Sequence, residues 1–307
     1  CAGVFVPLVL GAILYMSFYG FSAVGTEEFY HAVFIGVILT ATSVSITVQA
    51  LKELGKLKTE VGTTILNAAI IDDVIGIIVL TVVIGFKDPT SNPLKVAAST
   101  ILFFALAIVL GFLCFKLFNR MNSVFPHTRR LPILGLALCF GLSYISEKYF
   151  GIADITGAYV AGVILCSLDS SDYIEEKMDI SSYMIFGPIF FASIGLKTTL
   201  SGMNEKFVLF AICFVIVGLV AKIIGCGLMS KGWGFTWGDS LKIGVGMMTR
   251  GEVCLIVAQK GLNAGFLSGD FFSAVILLIL FSSVATPIIL KILYAKMPTA
   301  KDSAKAS

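Results

Sequence analysis

Charge is scarce in this chain: Asp, Glu, Lys and Arg make up 13% of its 307 residues, against about 25% in a soluble domain. That shortage excludes an ordinary water-soluble globule. With 57% hydrophobic residues and a mean hydropathy of +0.97, the chain reads as an integral membrane protein. No stretch is polar enough, or long enough, for a separate soluble domain. Histidine is nearly absent, and His31 and His127 stand too far apart in sequence to form a metal constellation. His127, in FPHTRR, reads as a loop residue. The seven cysteines include no C-x-x-C pair and mostly fall in apolar runs, where they read as small buried hydrophobes. The net charge of +3 is small and gives no hint of nucleic-acid binding. No charged segment precedes the first apolar run, which argues against a signal peptide. The expectation is a chain that begins partway through a longer protein.

What is present is a series of about ten apolar runs near the roughly 20 residues that a membrane-spanning helix needs. They lie near residues 2–22, 30–51, 61–86, 95–118, 131–149, 153–168, 181–199, 207–229, 239–262 and 271–294. Their length and uniform apolarity suit helices rather than alternating barrel strands. Of the 22 Lys and Arg, fourteen fall in connections on one side and six on the other, with Lys222 and Arg250 inside helices. The positive-inside rule puts the first side, and both ends of the chain, in the cytoplasm.

Five charges lie well inside apolar runs: Asp72, Asp73, Lys222, Arg250 and Glu252. (Asp154, at the start of its run, is interfacial.) Charged side chains at bilayer depth are costly and mark ion or proton pathways by default. These five sum to a formal −1, which suits a site that takes up a cation or a proton. Adjacent residues of a helix point about 100° apart, so Asp72 and Asp73 face different partners. Lys222, alone in VIVGLVAKIIGCGL, needs a carboxylate, and either aspartate can supply it. The other is left to face a water-filled cavity, where it can hold a proton or a hard cation such as Na+ but not both.

Two of the runs look interrupted. LTATSVSITVQ packs Thr40, Thr42, Ser43, Ser45 and Thr47 into one span, and GVGMMTRGEV surrounds Arg250 and Glu252 with glycines. Hydroxyls and glycines mark points where a membrane helix can unwind, and Arg250 and Glu252 could neutralise the exposed helix ends. The interruptions fall in the middle helix of the first three and of the last three. With the two triplets of opposite orientation, this is the pattern of an inverted repeat.

TATSVSITVQALKELGKLKTEVGTTILNAAIIDDVIGIIVL, with GAYVAGVILC, GPIFFASIGL, VAKIIGCGL and GVGMMTRGEVCLIVAQKG, resembles the NapA-type bacterial Na+/H+ antiporters. These belong to the monovalent cation:proton antiporter family and are related to the NhaA group. The resemblance runs from the first residues to about Lys291. It implies an all-α polytopic membrane protein with NhaA/NapA-like inverted repeats and two crossed discontinuous helices. It further implies a first core repeat at 1–86, a linker helix and cytoplasmic loop at 87–130, and the remaining part of a dimerisation domain at 131–200. The second core repeat would be 201–295 and a cytoplasmic tail 296–307, with three earlier helices lacking.

By the same resemblance, Asp73 binds the cation and Asp72 pairs with Lys222. Thr42 and Ser43 sit at the first helix break, Arg250 and Glu252 at the second. The implied activity is electrogenic exchange of Na+ or Li+ for H+ by an elevator-type movement, in a homodimer in the plasma (inner) membrane. The partners are those ions, K+ as an alternative, and the lipid bilayer; no cofactor and no enzymatic turnover are implied. One departure from the family pattern is that Asn67, Ala68 and Ala69 leave no hydroxyl one turn before Asp73. K+/H+ exchange or proton-coupled K+ efflux through the same residues is the near alternative. A gated cation channel is the alternative of another class, disfavoured by paired carboxylates with a buried lysine.

Overall fold

The computed structural model describes residues 1–85, 93–124, 129–150, 154–186, 188–189, 192, 196 and 205–297, and among these the regular elements are helical. In chain order they are α1 (Ala2–Tyr19), α2 (Glu27–Ile38), α3 (Val44–Glu53), α4 (Glu60–Gly85), α5 (Pro93–Val124), α6 (Arg130–Phe150), α7 (Asp154–Cys166) and α8 (Ser171–Ser181). A π-helical turn follows at Ser182–Phe186, then α9 (Glu205–Gly232), α10 (Trp237–Gly246), α11 (Glu252–Asn263) and α12 (Gly269–Lys296). His127, nine of the nineteen residues of the run at 181–199 and most of the tail at 296–307 lie outside the described residues.

Among the described residues, six helices are long and apolar enough to cross a membrane: α1, α4, α5 over Ile101–Arg120, α6, α9 and α12. The chain is therefore an all-helical, polytopic integral membrane protein. The runs at 30–51 and 239–262 are each divided into two short helices. At 1.5 Å per residue, a helix of 10 or 12 residues rises only about 15–18 Å, half of a hydrocarbon core of about 30 Å. The run at 153–168 gives α7, only 13 residues long. Helix α8 was not expected, because SDYIEEKMDIS is too charged to register as an apolar run; Ile174 is its buried anchor.

The chain forms two compact units, one holding residues 1–80 and the helices from α9 onward, the other holding α5–α8. In the second, Phe103, Ala107, Leu142, Val160, Ala161 and Ile164 form a buried cluster. In the first, α3, α4, α10 and α12 share a core that includes Leu51, Ile65, Met248 and Leu290.

The first unit has matching halves. In each, a long helix precedes a divided one and another long helix follows: α1, α2/α3, α4, then α9, α10/α11, α12. Both divided helices begin on a threonine cap. Thr26 Oγ1 accepts from Phe29 N at 3.3 Å, and Thr236 Oγ1 from Asp239 N at 3.1 Å, satisfying donors that the first helical turn leaves open. Both end in the same C-terminal turn. Lys56 N reaches Leu51 O at 2.8 Å and Phe266 N reaches Gly261 O at 2.8 Å, with Gly55 and Gly265 at positive φ, the conformation this turn requires. The helical paths stop for five residues in each half, at 39–43 and 247–251.

Candidate functional site

Asp72 and Asp73 lie near the middle of α4 and, as consecutive helical residues must, diverge. Asp72 is buried. From α9, the fully buried Lys222 donates to Asp72 Oδ2 at 2.6 Å. From the break between α2 and α3, Thr42 Oγ1 donates to the same oxygen at 2.8 Å. A buried ion pair holds only when such additional hydrogen bonds complete it, and Thr42 supplies one.

Close approach of α1 closes this site. At Gly3 an added Cβ would stand 2.7 Å from Cys226 Sγ, 3.2 Å from Asp72 Oδ1 and 3.6 Å from Lys222 Nζ. A Gly3→Val variant is expected to force α1 away and let water onto the pair, lowering the midpoint of thermal unfolding in detergent by several degrees. An unchanged midpoint would show that α1 does not seal the pair.

Asp73 is only half-buried, but its Oδ1 is shielded from solvent and has no hydrogen-bond partner. Buried polar atoms are almost always satisfied, so this oxygen is an open acceptor position. Lys222, the buried cation that faces α4, is already committed to Asp72. Among the described residues no group of three or more His, Cys, Asp or Glu is arranged to hold a metal ion. A cation at Asp73 would therefore draw its other ligands from hydroxyls, carbonyls and water.

The two helix breaks bind each other. Ser43 N donates to Thr249 O at 2.8 Å, and the Thr47 hydroxyl contacts Gly246 O at 2.8 Å and the Thr249 hydroxyl at 2.9 Å. Arg250, fully buried, donates through Nη2 to Leu39 O at 2.6 Å and Gly218 O at 3.1 Å. Its cation thus sits at the carbonyl end of α2. Glu252, the first residue of α11, accepts from Ser43 Oγ at 3.4 Å and Ser45 Oγ at 3.2 Å, so one carboxylate serves the amide ends of both α3 and α11. This is the polarity that helix dipoles favour.

The residues singled out in the sequence thus meet in one unit, with distinct partners. Asp72, Lys222 and Thr42 form one cluster. Ser43 and Glu252 form another, and Arg250 faces backbone oxygens. Thr42 and Ser43 spend their hydroxyls on Asp72 and Glu252. Sequence reasoning missed Thr249, which stitches the breaks, and Ser282 and Ser283 of α12. Arg250 N donates to Ser282 Oγ at 3.0 Å, and Ser283 Oγ donates to Arg250 O at 3.3 Å. Two adjacent serines in the apolar stretch LLILFSSVATP were the available signal.

Comparison with known proteins places the chain in a family. A family profile described as "Sodium/hydrogen exchanger, transmembrane" matches residues 1–296. The Na(+)/H(+)-K(+) antiporter GerN of Bacillus cereus is 36% identical over 279 residues, which cover 90% of this chain and 70% of that protein. The Na(+)/H(+) antiporter of Enterococcus hirae is 31% identical over 94% of this chain and 76% of its own length. At 27% identity, K(+)/H(+) antiporter 1 of Saccharomyces cerevisiae aligns with 94% of this chain but 35% of its own length. A match across nearly the whole chain, with relatives above 30% identity, makes this protein a member of the transmembrane sodium/hydrogen exchanger family, the monovalent cation:proton antiporters.

Proposed function

We propose that this chain exchanges Na+ or Li+ for H+ across the membrane, with Asp73 as the group that holds either ion. The observation that carries this reading is the shielded Asp73 Oδ1, which has no donor beside an Asp72 already held by Lys222 and Thr42. Asp72 with Lys222, and Arg250 with Glu252, cancel in formal charge. Asp73 alone is left to be neutralised. A bare carboxylate there is costly at low dielectric, so the loaded states, with cation or with proton, are the ones that cross. That asymmetry couples the two ions.

Two protons per cation would follow if the Asp72–Lys222 pair also takes and gives up a proton in each cycle, making exchange electrogenic. The matching halves of the first unit support reading 1–86 and 201–295 as inverted core repeats whose divided helices cross, completing about ten spans. In this reading they move together as an elevator. Residues 87–130 link them to 131–200, the part that holds a homodimer in the plasma membrane, and the tail 296–307 is cytoplasmic.

The test is a pH-sensitive dye in proteoliposomes carrying an imposed proton gradient. Additions of Na+ and Li+ are expected to collapse the gradient, and K+ to leave it standing. K+ is the second reading, favoured by the K+ in the names of two relatives. An equal response to K+ and Na+ would establish it, and no response to any of the three would overturn exchange.

A further inference from the structure

Both tryptophans of the chain, Trp233 and Trp237, stand on one turn, between α9 and α10, that the ion site does not use. Trp233 is 82% and Trp237 67% exposed. Hydrogen bonds fix the turn. Phe235 N donates to Ser230 O at 3.3 Å, with Gly234 at a φ of 98°, the same glycine-ended helix stop as at Gly55 and Gly265. Thr236 then caps α10 through Asp239 N.

Helix length sets the depth of this turn. Helices α9 and α12 have 28 residues each, about 42 Å at 1.5 Å per residue, against a hydrocarbon core of about 30 Å. Their ends therefore emerge into the headgroup layer, where tryptophan and lysine are favoured. The turn and the end of α12 emerge together: a Cβ added at Gly238 would stand 3.3 Å from Met297 Sδ. Leu228 and Met229, exposed on the last turns of α9, continue the apolar side.

The exposed charge here is of one sign. Lys231 Nζ lies 5.4 Å from the centre of the Trp237 ring and donates to Phe235 O at 3.2 Å. An ammonium carries three donors, so Lys231 has more to offer an acceptor outside the turn. Lys296, on the last turn of α12, is exposed next to Met297. Asp239, the acid of this turn, is already engaged. Lys242 donates to it at 2.9 Å, and so does the Thr236 hydroxyl at 2.9 Å.

We propose that the α9–α10 turn binds the headgroup of an anionic phospholipid. Lys231 takes the phosphate, Lys296 adds attraction, and the two indole rings flank the glycerol and upper acyl chains. A zwitterionic lipid is disfavoured, because Asp239 is spent on Lys242 and Lys231 repels a choline ammonium. The exposed rings and Leu228 favour a lipid over free phosphate, which has no chains to lay against them.

The tryptophans themselves report on the site, since the chain has no other indole. Trp233→Phe and Trp237→Phe each leave one reporter. Each variant is reconstituted in phosphatidylcholine vesicles holding a minor fraction of either phosphatidylglycerol or phosphatidylcholine brominated high on the acyl chain. Quenching is expected to give phosphatidylglycerol a relative binding constant about five- to tenfold higher, the attraction of one or two lysines near the surface. That preference should fall toward parity in Lys231→Gln and in high salt. Equal quenching by the two lipids would overturn the anionic site. No quenching by either would place protein or water over the turn and overturn lipid contact. A preference unchanged in Lys231→Gln would overturn the role of that lysine. The readout needs no ion movement, so its outcome is independent of the exchange reading.

Discussion

Asp73→Asn is expected to reduce cation-driven proton movement in proteoliposomes to the level of empty vesicles, with the protein still folded. Asparagine has nearly the same shape but neither takes a proton nor balances a cation. Because Asp73 Oδ1 has no partner to lose, the substitution removes a half-buried charge without breaking a bond. Stability should therefore hold or rise, since an uncompensated charge is unfavourable in this setting. The conjunction is diagnostic. Loss of exchange together with a lowered unfolding midpoint would point to a structural role, and normal exchange would remove Asp73 from the site.

Lys222→Ala is expected to be the most destabilising single change in the first unit. Breaking a buried pair strands the remaining charge at a cost of about 3–5 kcal/mol, and here the stranded group is Asp72, itself buried. Removing the second partner relieves that cost, so Lys222→Ala combined with Asp72→Ala should be markedly more stable than Lys222→Ala alone. A double-mutant cycle on unfolding midpoints measures the coupling. Strictly additive effects would mean that the 2.6 Å contact contributes nothing beyond its separate parts. Thr42→Val deletes only a hydrogen bond to a charged acceptor, an effect of about 1.5–3 kcal/mol, and should fall below Lys222→Ala. Charge moved per turnover, read as current on a supported membrane, should fall in Lys222→Ala if the pair takes part in proton transfer.

Much of this site was legible in the sequence because the membrane penalises charge. An aspartate pair in a 26-residue stretch with no other charge and one lysine in an apolar helix had few partners to choose from; composition left either aspartate open to Lys222, and the choice of Asp72 came from the family resemblance. The helix breaks were legible for a similar reason, as hydroxyls and glycines are conspicuous where leucine and valine are the rule. Hydrogen-bond partners were another matter. That Thr42 serves Asp72, and Arg250 the carbonyl of Leu39, depends on how helices far apart in the chain cross, and local composition does not encode a crossing. The same limit hid Gly3, which matters only because α1 lies against Cys226. Helix α8 escaped for the opposite reason, since its charged face masks the few apolar residues that hold it, Ile174 and Met178.

In the proposed exchange, proton and cation compete for one carboxylate. Proton release on cation binding tests it without transport. Purified protein in detergent is titrated with NaCl by calorimetry in two buffers of different ionisation enthalpy, and the difference in heat counts protons released. The wild-type protein should release protons as Na+ binds, and Asp73→Asn should release none. Undiminished release from Asp73→Asn would contradict the account.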